Sequence, residues 1–146
     1  MKKKLVTYTQ IFNKRARFDY HLYDTYIAGM QLTGPEVHAI RKGKLTLMDS
    51  FCYFIKDELF LKDSTISGIG NDDIKRDRKL LLTRKELNKI SKSIDKGITI
   101  VPLRVFEQNG FLKCEIAIAK GKRNFDKRES IKLRETKLEI ERETKI

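Results

Sequence analysis

The chain has 146 residues, enough for one domain around one core, and 40% of them are hydrophobic. It carries 32 Lys and Arg against 20 Asp and Glu, a formal net charge of +12. No apolar run is long enough to span a bilayer. Only Leu5 and Val6 follow Met1-Lys2-Lys3-Lys4 before polar residues resume, so no secretory leader is expected either. A balance this basic calls for a polyanionic partner, nucleic acid ahead of an anionic membrane surface, in a soluble, cytoplasmic setting. Cys52 and Cys114 both sit in apolar strand patterns. Buried reduced thiols fit that setting better than a disulfide.

Residues 1–12 form a basic leader. Lys14, Arg15 and Arg17 follow, beside Phe18, Tyr20 and Tyr23. Cations neutralise phosphate and aromatic rings stack on unpaired bases, so this cluster suits RNA. The same aromatics also suit a strand core. Tyr20 to Met30 is enriched in Tyr and Ile and predicts a strand. Thr33-Gly34-Pro35-Glu36 has the form of a capping box with proline in the first turn. Val37 and Ile40 supply the apolar face of that helix, and Gly43 fits its end. Arg41, Lys42 and Lys44 gather there, either answering the helix dipole or contacting phosphate.

Phe51 to Ile55 and Leu59 to Leu61 predict a hairpin around Lys56-Asp57-Glu58. After a polar loop from Gly68, Arg76, Arg78 and Lys79 precede the apolar run Leu80 to Leu82. Thr83-Arg84-Lys85-Glu86 is a second capping box, with Leu87, Ile90 and Ile94 at helical spacing and Gly97 closing the helix. Asn109-Gly110 is the favoured two-residue hairpin turn. It joins Ile98–Phe106 to a strand in which Leu112, Cys114, Ile116 and Ile118 alternate with Phe111, Lys113, Glu115 and Ala117. Lys113 lies on the exposed face of that strand, a natural phosphate contact.

The expected fold is therefore mainly β with flanking helices. At least five short antiparallel strands and two helices fit a small barrel of the oligonucleotide-binding (OB) type, with an open α+β sandwich as the alternative. Residues 13–120 form this RNA-binding barrel and residues 121–146 a basic C-terminal arm. The arm opens with Lys120, Lys122 and Arg123, and no Gly or Pro follows Gly121. Its Ile131, Leu133, Leu138 and Ile140 do not line one helical stripe. It is expected to be disordered when free and helical when bound.

Catalytic chemistry is not signalled. His21 and His38 are the only histidines, and neither has metal-ligand spacing. No phosphate-binding glycine loop is present, and Asp72-Asp73 reads as a pair of turn residues. The chain is expected to be no enzyme, with no catalytic residue, no metal and no cofactor.

Six motifs in order carry a family resemblance. They are N-K-R-A-R-F-D-Y at Asn13–Tyr20, A-G-M-Q-L-T-G-P-E-V at Ala28–Val37, and R-K-G-K at Arg41–Lys44 with D-S-F at Asp49–Phe51. R-K-L-L-L at Arg78–Leu82, K-G-I-T-I-V-P-L at Lys96–Leu103 and A-K-G-K-R-N-F-D-K-R-E at Ala119–Glu129 complete the set. Together they resemble the small protein B (SmpB) family, the SsrA-binding partners of transfer-messenger RNA. The resemblance implies an OB-type barrel that binds the tRNA-like domain of that RNA, and a role in ribosome rescue.

 

It further implies that the barrel fills the place of a missing anticodon arm, while the C-terminal arm enters the empty mRNA channel at the decoding centre of a stalled ribosome. The RNA-contact positions that match are Asn13, Lys14, Leu81 and Lys113. Those of the arm are Asp126, Lys127 and Arg128, followed by Ile131, Lys132 and Arg134.

With the clustered cations read directly, the RNA-binding set is Asn13, Lys14, Arg15, Arg41, Lys44, Arg78, Lys79, Leu81, Lys113, Lys120, Lys122 and Arg123. Three positions and one loop depart from the family pattern. Ile27 stands where a Glu is common, His38 where a Lys is common, and Phe125 where a His or Tyr is usual; the loop 68–76 is short. A monomer is expected. Two other classes share the charge and the small barrel: a basic ribosomal structural protein and a general single-stranded nucleic-acid binder.

Overall fold

The computed structural model describes residues 10–70, 74–94 and 97–122. In chain order the elements are β1 (Gln10–Phe12), α1 (Ala16–Asp19), β2 (Tyr20–Met30), α2 (Gly34–Arg41), β3 (Leu45–Thr46) and β4 (Phe51–Ile55). There follow β5 (Glu58–Lys62), β6 (Thr65–Ile66), β7 (Arg78–Leu81), α3 (Arg84–Ser93), β8 (Ile98–Gln108) and β9 (Phe111–Gly121).

Six strands close a ring in the order β8-β4-β5-β7-β2-β9, sealed by the β8–β9 pairing, and β1 pairs with β8 at Arg104–Phe106, beyond the point where β4 meets it at Ile100. Every pairing is antiparallel. The closed barrel is therefore the architecture, and the open sandwich is excluded. The core inside the ring includes Ala28, Leu59, Leu61, Leu80, Ile100, Cys114 and Ile116, with Ile40 of α2 and Leu87 and Ile90 of α3 packed into it.

Local chemistry accounts for most of the elements. In α2 the Thr33 hydroxyl accepts from the Glu36 amide, and the Glu36 carboxylate accepts from the Thr33 amide at 2.9 Å. In α3 Thr83 and Glu86 make the same reciprocal pair. Each box satisfies backbone donors that the first helical turn leaves without partners. Asn109 and Gly110 both have positive φ, 52° and 82°, which gives the right-handed twist that a two-residue hairpin needs. Lys56 and Asp57 do the same between β4 and β5.

Several expectations need correction. Gln10–Phe12 belongs to the sheet through its pairing with Arg104–Phe106, so the leader does not run to Phe12. The last strand continues to Gly121 because β2 offers it a partner as far as Tyr20. Glu58 is the first residue of β5, not part of the turn. Helix α1 was not expected, since four residues carry too little periodicity to signal a helix. Gly97 does not close α3: the helix ends at Ser93, and Ile94 caps it in extended conformation. Ala117 is buried, not exposed, as are Ala119, Val101 and Ala16, because α1 packs against β2 and β8 outside the ring.

Candidate RNA interface

The sheet register assembles one outward row from five strands. Leu81 pairs with Gly29, Gly29 with Lys113, Lys113 with Phe106, and Phe106 with Gln10. A second row lies beside it, in which Ile27 pairs with Glu115, Glu115 with Arg104, and Arg104 with Phe12. Alternation sends Ala28, Leu80, Cys114 and Val105 inward to the core, which turns these two rows outward. Leu81 is 49% exposed and Ile27 41%.

Charges and rings share this face. The Arg104 guanidinium lies 4.1 Å from the Phe106 ring centroid and contacts the Glu115 carboxylate at 3.2 Å. Lys79 follows the alternation of β7 outward, two residues from Leu81, and its Nζ is 3.5 Å from Glu58. Arg41 reaches from the end of α2 to the β8–β9 hairpin. It contacts the Glu107 carboxylate at 2.9 Å and donates to the Gly110 carbonyl at 3.3 Å. Among the described residues, a groove of about 200 Å³ runs between Leu81, Gly29, Arg41, Phe111 and Lys113.

Through Phe12 the face continues to Asn13 and Lys14. The Asn13 amide donates to the Pro102 carbonyl at 2.9 Å, and its backbone N–H donates to the Leu103 carbonyl at 2.8 Å. Asn13 therefore fixes the chain where the β8–β9 register shifts between Pro102 and Arg104. Lys14 is exposed beside it.

The remaining candidates sit elsewhere. Arg15, Tyr20, Met48, Gly121 and Lys122 line a separate hollow where the chain leaves the barrel. There the Lys122 amide donates to the Asp19 carbonyl at 2.9 Å. Arg15 lies 5.2 Å from the Phe18 ring centroid and contacts Asp19 at 3.3 Å, which raises its pKa. Lys120 pairs with His21 at the same end of the sheet. Seven residues of extended strand separate Lys113 from Lys120, roughly 23 Å. Lys44 is exposed close to Gly68. Arg123 and the arm residues Asp126, Lys127, Arg128, Ile131, Lys132 and Arg134 lie outside the described residues.

Arg78 is a correction. It is fully buried and cannot present its charge to RNA from this position. Its Nε donates to Glu36 Oε2 at 2.5 Å, and Nη1 donates to the Ser64 hydroxyl and to the Ser64 and Arg76 carbonyls at 3.0, 3.1 and 2.8 Å. Arg76 pairs with the other oxygen of Glu36. Burial alone would raise the Glu36 pKa. Hydrogen bonds from Arg76, the Thr33 amide and Arg78 outweigh it and hold the carboxyl below its ordinary value. The capping glutamate is thus also the counter-charge that lets an arginine enter the core.

Phe12, Arg104, Phe106 and Phe111 were missed. The alternation of β8, already written in Ile98–Gln108, places Arg104 and Phe106 on one outward face. Cys52 and Cys114 are free and buried. Burial pushes both thiols up, Cys114 to about 12 with a smaller contribution from Glu115. Among the described residues no group of three His, Cys, Asp or Glu could hold a metal ion, and no helix is long and apolar enough to cross a membrane.

The family model described as SmpB protein matches residues 10–146. An SsrA-binding protein of Bacteroides thetaiotaomicron is 49% identical over 139 residues, covering 90% of this chain and 93% of its own length. One from Parabacteroides distasonis is 47% identical over 149 residues, with 97% of each chain covered. A solved structure described as "tmRNA-SmpB: a journey to the center of the bacterial ribosome" superposes with a TM-score of 0.65 at 36% identity, covering 84% of this chain and 94% of the other. The family match spans nearly the whole chain, and the chain belongs to the SmpB family.

Proposed function

We propose that this protein binds the tRNA-like domain of transfer-messenger RNA and delivers it to stalled ribosomes for trans-translation. Family membership supports the partners, and the outward row Leu81–Gly29–Lys113–Phe106–Gln10 is the observation that carries the binding role. It combines a cation with apolar and aromatic surface on a rigid sheet. That combination suits RNA, whose phosphates and unstacked bases need different contacts.

Lys113, Leu81, Lys79, Arg41, Lys14 and Asn13 form the RNA side in this assignment. Arg15, Lys44, Lys120, Lys122 and Arg123 supply cations outside that face. The arm, residues 121–146, enters the empty mRNA channel with Asp126, Lys127, Arg128, Ile131, Lys132 and Arg134. The protein acts in the cytoplasm as a monomer, by binding and positioning, without bond chemistry of its own. Incubation of the RNA with protein and divalent metal should leave it uncleaved.

A salt-dependent titration tests the binding role, with the tRNA-like domain as ligand and ordinary tRNA and a single strand as competitors. Preference for the tRNA-like domain that survives moderate salt is expected. Equal affinity for all three, vanishing with salt, would overturn it and leave a general basic RNA binder. Stoichiometric co-sedimentation with every ribosome would point instead to a ribosomal structural protein.

A further inference from the structure

Phe111 is the most exposed large hydrophobic residue among those described, at 69%. An aromatic ring in water at a hairpin tip gains nothing from its own fold. Its position is nevertheless held. Asn109 and Gly110 set the turn, and Arg41 ties the tip to α2 through Glu107 and the Gly110 carbonyl. Lys113 lies two residues along β9 on the same face. Leu81 also lines the groove and leans over Gly29, where a Cβ would lie 3.3 Å from Leu81 Cβ.

Building on the RNA-binding role above, we propose that Phe111 is a stacking platform for one unpaired base of the bound RNA, with Lys113 on the adjacent phosphate. An exposed ring face and a cation two residues away match the base and the phosphate of a nucleotide that has left its helix. An exposed phenylalanine alone would suit many partners. The neighbouring cation selects an anionic one, and base–aromatic stacking beside a phosphate contact is the usual way such a pair holds single-stranded RNA.

Three variants of the full-length chain test this. Phe111→Ala should weaken binding to the tRNA-like domain by roughly 5- to 100-fold, with the slope of log affinity against log salt unchanged. Phe111→Tyr should bind within about twofold of the parent, since the ring is kept. The chain contains no tryptophan, so Phe111→Trp introduces a single reporter. Its fluorescence should be quenched on RNA addition, with a midpoint equal to the binding midpoint. Parent-like affinity of Phe111→Ala, or unchanged emission of Phe111→Trp at saturation, would overturn the proposal. A parent chain that shows no preference for the tRNA-like domain would instead overturn the functional role, and the quenching experiment with any bound RNA would still decide the stack.

Discussion

At the residue scale, the buried triad of Glu36, Arg76 and Arg78 and the outward Lys113 play opposite parts. Glu36→Gln leaves the Arg78 guanidinium buried without a counter-charge. The loss should be about 3 kcal/mol or more, read as a fall in the urea midpoint. The pH dependence follows from the same carboxyl. Its folded pKa lies below its ordinary value of 4.5, so its stabilising contribution is full above that value and is lost as pH falls through the folded pKa. Melts between pH 7 and pH 3 should show the parent and Glu36→Gln converging on acidification. A gap that stays constant over that range would assign the stability difference to packing. Lys113→Ala, by contrast, should leave the melt unchanged. It should weaken RNA binding and reduce the salt slope by roughly 0.7 to 0.9, as expected for one lost phosphate contact.

At the element scale, the β8–β9 hairpin orders most of the proposed interface. Gly110 has φ of 82°, and a Cβ there would meet nothing within 4 Å. Gly110→Val should therefore cost about 1–2 kcal/mol through backbone strain alone, measurable by denaturant titration. Loss of RNA affinity should accompany it, because the turn sets the place of Phe111 and the anchor of Arg41. Gly29 is different. A Cβ at Gly29 would lie 3.3 Å from Leu81 Cβ, so the constraint there is cross-strand space and not φ. These elements were legible in advance where a local pattern encoded them, as in the two capping boxes and the Asn109-Gly110 turn. Helix α1 and strand β1 were not, since each is held by tertiary partners and not by its own periodicity.

At the scale of the whole molecule, barrel and arm are expected to divide the work. Lys122 leaves the barrel at the end of β2 and β9 remote from Lys113. Truncation after Lys122 should leave RNA affinity within about threefold, given that the phosphate contacts assigned to the RNA face remain, while tagging of stalled nascent chains is lost. Alanine at both Lys127 and Arg128 should do the same. Loss of RNA binding on truncation would show that the arm, not the barrel face, carries the contact.

The sequence by itself determined the two capping boxes, the Asn109-Gly110 turn, the alternation of β9 from Phe111 to Ile116, the basic balance and the family motifs, because each is written within a few neighbouring residues. Only the tertiary structure decided that Arg78 turns inward to Glu36 while Lys79 turns outward, since that depends on which face of β7 closes the barrel. It likewise decided that Leu81, Gly29, Lys113, Phe106 and Gln10 stand side by side. Apart from Phe106 and Lys113, which one hairpin joins, these residues are far apart in the chain, and cross-strand register in a closed ring, not local propensity, brings them together.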